Sequence, residues 1–310
     1  MTVHQPVLAQ EIIELLNVGS GMTVVDGTLG GGGHTRLLAD KVTSSGLVIA
    51  LDRDPQAVQA AQTQFAASPV KLFAASYVEL PALLCAISID AVDAILLDLG
   101  LSSDQLADPH RGFSFHSDGV LDMRFDQGAG EAAWELLKRL DEKELANVIY
   151  EYGEERFSRR IARRIVEERG QHPIRSAQQL SELVRRCVPR SKGHSIDPAT
   201  RTFQALRIAV NDELNGLKTA MDRLPKLLRP DGRIAVISFH SLEDRIVKHA
   251  LRNDATLEVI TKRPVRSNVE EIALNPRSRS ARLRVARKRR PDETTNTKNK
   301  WPRQPERTDS

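Results

Sequence analysis

Short apolar runs alternate with amphipathic stretches through the first hundred or so residues of the chain. Residues 4–16 carry Val7, Leu8, Ile12, Ile13, Leu15 and Leu16 at helical spacing, and Asn17-Val18-Gly19-Ser20-Gly21 ends that pattern. Strands are then predicted at 22–26, 47–52, 70–75 and 92–98. Helices are predicted between them at 35–42, 55–66 and 78–87, with Pro55 in the first turn of its helix. The runs beginning at Leu47 and Val92 are almost continuously apolar, as expected where helices cover both faces of a strand. Alternating units of this kind predict an α/β fold built on a doubly wound, mostly parallel sheet.

The alternation stops after Asp98. Between Ser103 and Asn211 no strand pattern occurs, and helices are predicted at 131–139, 142–150, 154–169 and 177–187. Periodicity then resumes with a helix at 203–223, a turn at 228–232 and a strand at 233–239. Residues 257–260 and 281–286 alternate polar and apolar, as a half-exposed antiparallel pair at a sheet edge would. The expected organisation is a discontinuous sheet domain, 1–105 and 211–290, interrupted by an all-helical insertion, 106–210. A polar, basic and disordered tail is expected at 291–310.

Composition adds limits to this picture. Of the 310 residues, 40% are hydrophobic, and no apolar run approaches the ~20 residues needed to span a bilayer. The first residues have neither a basic nor an apolar signal region. Cys85 and Cys187 stand alone, away from any zinc-ligand spacing, and read as reduced thiols. A cytoplasmic protein without a membrane partner or a metal is therefore expected. The net charge of +4 is uneven: from Arg277 onward there are 12 lysines and arginines against 4 acids, while the rest of the chain is acidic on balance. Such a tail suits a polyanionic partner, and it equally suits simple solvation.

The most informative stretch is Val24-Val25-Asp26-Gly27-Thr28-Leu29-Gly30-Gly31-Gly32-Gly33-His34, an apolar strand running into glycines and then a helix. It contains no P-loop and no strict pyrophosphate fingerprint, whereas Asp26 before the glycines and Asp52 after the next strand are well placed for a nucleoside ligand, Asp52, 19 residues beyond Gly33, standing where an acid accepts hydrogen bonds from ribose hydroxyls. An adenosine without phosphates is the ligand that fits. Asp98, Ser102 and Ser103 follow the fourth strand and His240 follows the fifth, so their carboxyl ends are expected to carry the chemistry, although for a histidine such as His240 a capping or core role is the commoner one. In the insertion, the 154–169 helix sets Phe157, Ile161 and Ile165 opposite Arg156, Arg159, Arg160, Arg163 and Arg164. That arrangement fits an RNA-facing helix and a solvated one alike. Phe113 and Phe115 are candidates for stacking on bases or for core positions.

Taken together, several segments resemble the bacterial S-adenosylmethionine-dependent methyltransferases that modify N4 of a decoding-site cytidine in 16S ribosomal RNA. They are His4–Leu8 and Asp26–His34, Leu51–Ala57, Leu96–Ser103, Arg111–Phe115, Leu121–Arg124, Tyr152–Phe157, Pro198–Ala205, Ile237–Arg245 and Asn275–Ser280. The resemblance covers roughly residues 4–288 and implies a class I, Rossmann-like methyltransferase fold. It implies S-adenosylmethionine contacts at Gly32, Gly33, His34, Asp52, Tyr77, Asp98 and Gln105, with Tyr77 where the family often has phenylalanine. It also implies 16S ribosomal RNA in the small ribosomal subunit as partner, with Arg201 beside the arginine helix as an RNA contact, and leaves monomer or dimer open. One departure is Asp197, which stands before Pro198 where the family usually has histidine; it reverses the local charge, and nearby His194 is not expected to make this good.

Transfer to an exocyclic amine requires the nitrogen to be held in line with the methyl group and its proton to be accepted as the bond forms. Asp98 or a group within residues 99–103 is the expected acceptor, with His240 as the outlying candidate, and the base must be unpaired or flipped out. A nicotinamide oxidoreductase would use the same sheet, a DNA cytosine methyltransferase the same chemistry, and a non-catalytic RNA-binding module the same charge. Asp98-Leu99-Gly100-Leu101 replaces the Pro-Pro-Tyr motif of the DNA enzymes.

Overall fold

The computed structural model describes residues 6–115, 117–189 and 197–294. Seven strands form one sheet in the order β3-β2-β1-β4-β5-β7-β6. They are β1 (Thr23–Asp26), β2 (Leu47–Asp52), β3 (Val70–Ala74), β4 (Val92–Asp98), β5 (Leu228–Ser238), β6 (Leu257–Val259) and β7 (Arg282–Lys288). Strands β1 to β5 pair in parallel, and β7 runs antiparallel to both β5 and β6. From β1 the chain winds outward through β2 and β3, then returns to place β4 on the other side. The crevice at the carboxyl ends of β1 and β4 is thus the switch point where doubly wound sheets bind ligands.

The two-residue period of a strand explains the layering. Val24, Val48, Ala94 and Leu96 face one way and pack with Val7, Ile12, Leu38 and Val42 from α1 (Ala9–Leu16), its preceding loop and α2 (Gly33–Val42). Val25, Ile49, Ile95 and Leu97 face the other way, toward Leu80 and Leu84 of α4 (Leu80–Ala86), which follows α3 (Pro55–Phe65). The apolar runs in β2 and β4 are buried on both faces because both are covered.

Beyond β4 come α5 (Ser103–Ala107), α6 (Ala133–Arg139), α7 (Glu142–Gly153), α8 (Ser158–Arg169), α9 (Ala177–Cys187) and α10 (Thr200–Asn211). From α6 to α10 they share a separate core containing Leu137, Ile149, Ile161, Ile165, Val184 and Phe203. Arg111 ties this unit to the sheet. Its Nη1 donates to Asp54 Oδ2 at 2.6 Å, its Nη2 donates to the carbonyls of Arg124 and Phe125, and both side chains of the ion pair are about 95% buried. Removing one partner of a buried pair strands the other, so Arg111→Ala is expected to cost about 3–5 kcal/mol. A thermal melt should show the midpoint falling by roughly 10 °C; an unchanged midpoint would remove Arg111 from that role.

Several expectations are corrected. The periodicity across 203–223 is two helices, α10 and α11 (Glu213–Arg223), because Asp212 adopts a left-handed backbone with φ 49°. The 154–169 helix begins at Ser158, since Glu154 ends α7 with φ 50°. The predicted turn at 228–232 lies inside β5 as a bulge around Asp231, which has φ 66°. The expected antiparallel pair at the sheet edge is β6 with β7, but only β6 is the edge strand: β7 also pairs with β5, and Leu283, Val285 and Ala286 are buried. After α12 (Ser241–Asn253) and α13 (Val269–Leu274), residues Pro291–Thr294 form one helical turn, α14, at the start of the stretch expected to be disordered. Arg287 bonds Glu293 there. The remaining tail, His4 and His194 lie outside the described residues. Among the described residues no helix is long and apolar enough to cross a membrane.

Candidate active site

A cavity of about 510 Å³ opens over the carboxyl ends of β1, β2, β4 and β5. Its floor is the glycine loop. Asp26 is fully buried beneath it, accepting from Thr28 N at 3.1 Å and Thr35 Oγ1 at 2.6 Å, so this carboxylate shapes the loop and does not face a ligand. The Thr28 hydroxyl in turn accepts from Asp98 N at 2.6 Å, fastening the loop to the end of β4. A Cβ on Gly27 would lie 2.5 Å from the Leu97 side chain, so only glycine lets the chain turn there.

Asp52 stands at the end of β2, accepting from Gly30 N at 2.8 Å and Asp54 N at 2.9 Å. Burial pushes its carboxyl up to about 6, against the pull of these two amides. Each oxygen keeps acceptor capacity toward the cavity, as a diol would require. Gly33, His34, Tyr77, Asp98 and Gln105 also line the cavity. Burial and the nearby Glu213 and Glu243 push the Tyr77 hydroxyl above its ordinary range. Gln105 is a strut: its Nε2 donates to Asp54 and its Oε1 accepts from Ser102 N, while Ser102 Oγ caps α5 by accepting from Gln105 N. Gly32 is not in the cavity wall. It takes φ 78° at the start of α2, with its α-carbon face against Phe65.

Asp98 and His34 face each other at the centre of the site. His34 Nε2 donates to the Val7 carbonyl at 2.9 Å, which turns Nδ1 toward Asp98 Oδ2 at 3.5 Å. Burial raises the Asp98 carboxyl to about 6, opposed by His34. Its Oδ1 is buried and has no hydrogen-bond partner among the described residues. Such an oxygen is costly unless a ligand donates to it.

The structure does not bring His240 into the cavity. The ring is the cap of α12: Nδ1 accepts from Glu243 N at 3.4 Å and Nε2 lies 3.1 Å from Glu243 Oε1. Glu243, Glu213 and Arg207 line the cavity instead, and neither Glu213 nor Arg207 stands out in the sequence. Arg207 grips Glu213 with Nε and Nη2 at 2.8 and 2.9 Å. Its Nη1 is toward Gly100, without a partner among the described residues. Burial pushes the Glu243 carboxyl up, but His240 and Arg207 overcome this and hold it below its ordinary value. Glu213, His240 and Glu243 bring ligand-type atoms within 4.8 Å of one another. Arg207 already occupies Glu213, and the accepting Nδ1 of His240 leaves the proton on Nε2, so the group presents a donor and a salt bridge where a cation would need lone pairs.

Phe113 is buried against Phe125, and the partly buried Phe115 packs edge-on to Phe203, so both expected stacking rings are packed on the helical core. Phe125 and Thr200 reach the cavity from the helical unit in their place. On α8, Arg159, Arg160, Arg163 and Arg164 are exposed, with Arg156 exposed just before it, while Ile161 and Ile165 are buried. Arg163 pairs with Glu142 and Arg164 with Glu167 and Glu168. Arg159 and Arg160 have no ion pair among the described residues. Arg201, next to Thr200, is exposed and donates to the Glu154 carbonyl. Asp197 pairs with Arg185 at 2.7 Å and accepts from Ala199 N, so its charge is neutralised locally.

The chain matches the MraW methylase family across residues 1–289. It is 51% identical over 298 residues to the ribosomal RNA small subunit methyltransferase H of Rhodopirellula baltica, covering 93% of this chain and 92% of that one. To the protein of the same name from Deinococcus radiodurans it is 51% identical over 283 residues, covering 91% and 88%. The likeness runs across the sheet and the helical unit alike: the chain belongs to the MraW methylase family.

Proposed function

We propose that this protein methylates the exocyclic N4 amine of a decoding-site cytidine in 16S ribosomal RNA, acting on the small ribosomal subunit in the cytoplasm. The observation that carries the reading is the continuity of one cavity from Asp52 and Gly30 to Asp98 and the Arg207, Glu213 and Glu243 group. S-adenosylmethionine bound over the glycine loop supplies the activated methyl group. Asp52 accepts from its ribose hydroxyls, Tyr77 lies along its base, and Gly33 and His34 back its amino-acid end. The residues fit this group, since the Asp52 carboxyl keeps acceptor capacity for a diol and the glycine loop lets a ligand lie against the backbone.

At the acceptor end, Asp98 Oδ1 takes the proton leaving the amine as the new carbon–nitrogen bond forms. Arg207 Nη1 offers a donor to the ring nitrogen or carbonyl of a pyrimidine, and the Glu213 and Glu243 carboxylates accept from an amino group. That combination suits cytosine over uracil. The test is labelled methyl transfer to small-subunit RNA from cells lacking the modification, tried on free RNA and on assembled subunits, with nucleoside digestion to identify the product. N4-methylcytidine is expected; label on a different atom or none at all would overturn the reading.

The arginine face of α8, with Arg156 and Arg201 beside it, is the proposed RNA surface. Reversing Arg159 and Arg160 together, Arg159→Glu with Arg160→Glu, is expected to weaken RNA binding at least tenfold at about 0.1 M salt and leave donor affinity within about twofold. Titrations of both ligands at one salt concentration decide this, and equal losses for the two would sink it.

A further inference from the structure

Arg277 lies in the single-turn segment Pro276–Ser280, just before β7, and lines the cavity from the side away from β2. Its guanidinium donates Nη1 to Ser103 Oγ on the first turn of α5. No carboxylate lies within salt-bridge distance of it among the described residues. Other sheltered arginines are matched differently. Arg111, Arg207 and Arg284 each hold a carboxylate, while Arg53 and Arg169 each donate to a helix-terminal carbonyl. Arg277 is half-buried, and among the described residues it spends one of its five donors, on a neutral hydroxyl. Burial pulls it below the ordinary arginine range, only partly offset by Asp104. A desolvated fork of this kind, lacking a counter-ion, is built to take an oxyanion in two parallel hydrogen bonds.

We propose that Arg277, steadied by Ser103, binds a phosphodiester of the RNA strand next to the target nucleotide and so holds the extruded base over Asp98. The assignment rests on the RNA-methylating reading above. Strand order selects the RNA over the methyl donor as the source of the anion. Asp52 marks the ribose end at β2, whereas the guanidinium sits on Ser103 just past β4, two strand spacings or about 10 Å away with β1 between, and the donor's amino-acid end is already backed by Gly33 and His34. The exposed Arg279 on the same turn extends the positive charge outward along the approaching strand.

The experiment uses the full-length protein, an RNA carrying the target site, and the variants Arg277→Gln and Arg277→Lys. Binding of RNA is measured across a salt series, and binding of S-adenosylmethionine by calorimetry. Gln is expected to weaken RNA binding about tenfold at 0.1 M salt and to flatten the slope of log affinity against log salt by about 0.7–0.9, the value of one phosphate contact. Lys should recover the slope and only part of the affinity, and donor affinity should hold for both. Replacing that one phosphate by an uncharged methylphosphonate should weaken the wild type and leave Arg277→Gln unaffected. Unchanged RNA affinity and slope in Arg277→Gln would overturn the proposal, and so would a loss confined to the donor, which would assign the guanidinium to the donor carboxylate. Wild-type methyl transfer, run alongside, separates the two readings: if N4-methylcytidine forms while Arg277→Gln binds RNA normally, only the phosphate assignment falls.

Discussion

Asp98→Asn is expected to slow methyl transfer by about 10²–10⁴-fold at saturating donor and RNA, the usual contribution of a positioned proton acceptor. The variant should remain folded. Asp98 is held by its backbone, through the N–H donated to Thr28, and its Oδ1 makes no hydrogen bond that asparagine would lose among the described residues. The pH dependence gives an independent readout. Burial raises the carboxyl to about 6, and the charged form is the one that accepts a proton. The wild-type rate should therefore climb tenfold per pH unit below about 6 and level off above it, whereas the residual rate of Asp98→Asn should lack that step. Stability has the opposite sign. An acid whose folded value lies above its unfolded one binds more protons when folded, so the fold loses stability as pH rises from about 4 to about 6, and asparagine removes that loss. Single-turnover rates between pH 5 and 8 are the measurement. A wild-type rate in the asparagine variant, or a flat wild-type profile, would take Asp98 out of the chemistry.

The parts of this site that were legible in the sequence are those whose position depends on local pattern. Strands β2 and β4 coincide with their apolar runs because both faces are covered, and each delivers its terminal acid, Asp52 or Asp98, to the crevice. The glycine loop was legible for the same reason, although the register of its glycines was not. Gly32 turns toward Phe65 while Gly30, Gly31 and Gly33 face the cavity, a distinction set by backbone angles. Arg207 and Glu213 were not legible. The apolar period runs unbroken across 203–223, and the left-handed residue at Asp212 that swings Glu213 back onto Arg207 leaves no mark in it. The one available signal was Asn211-Asp212, two residues that tolerate that conformation better than most. For His240 the commoner expectation, a cap, holds, and the outlying catalytic one does not. A histidine after a strand can serve either role, and Glu243 three residues later, which marks the capping box, decides for the cap.

Asp52→Asn is expected to weaken S-adenosylmethionine binding by about 30-fold, since it removes the charge from hydrogen bonds that a carboxylate makes to ribose hydroxyls. The amide also keeps only one strong acceptor for two incoming N–H groups, Gly30 and Asp54, so the glycine loop loses part of its anchor. The sign of the pH effect follows from the raised carboxyl. At pH 5 most of Asp52 is protonated, and one oxygen then carries a proton that competes with the diol; above about 6 both oxygens accept. Donor affinity in the wild type should therefore rise between pH 5 and 7, donor binding should release protons in that range, and the asparagine variant should show neither. Calorimetry in buffers of different ionisation enthalpy measures both quantities at once. Affinity that is level across that range, or unaltered by the substitution, would exclude Asp52 as the ribose acceptor. Asp52 and Asp98 titrate near the same pH, yet their effects separate. Donor binding without RNA reports Asp52, whereas the rate at saturating donor reports Asp98. A protein in which one profile shifts and the other stays fixed has its two carboxylates doing the two jobs assigned to them.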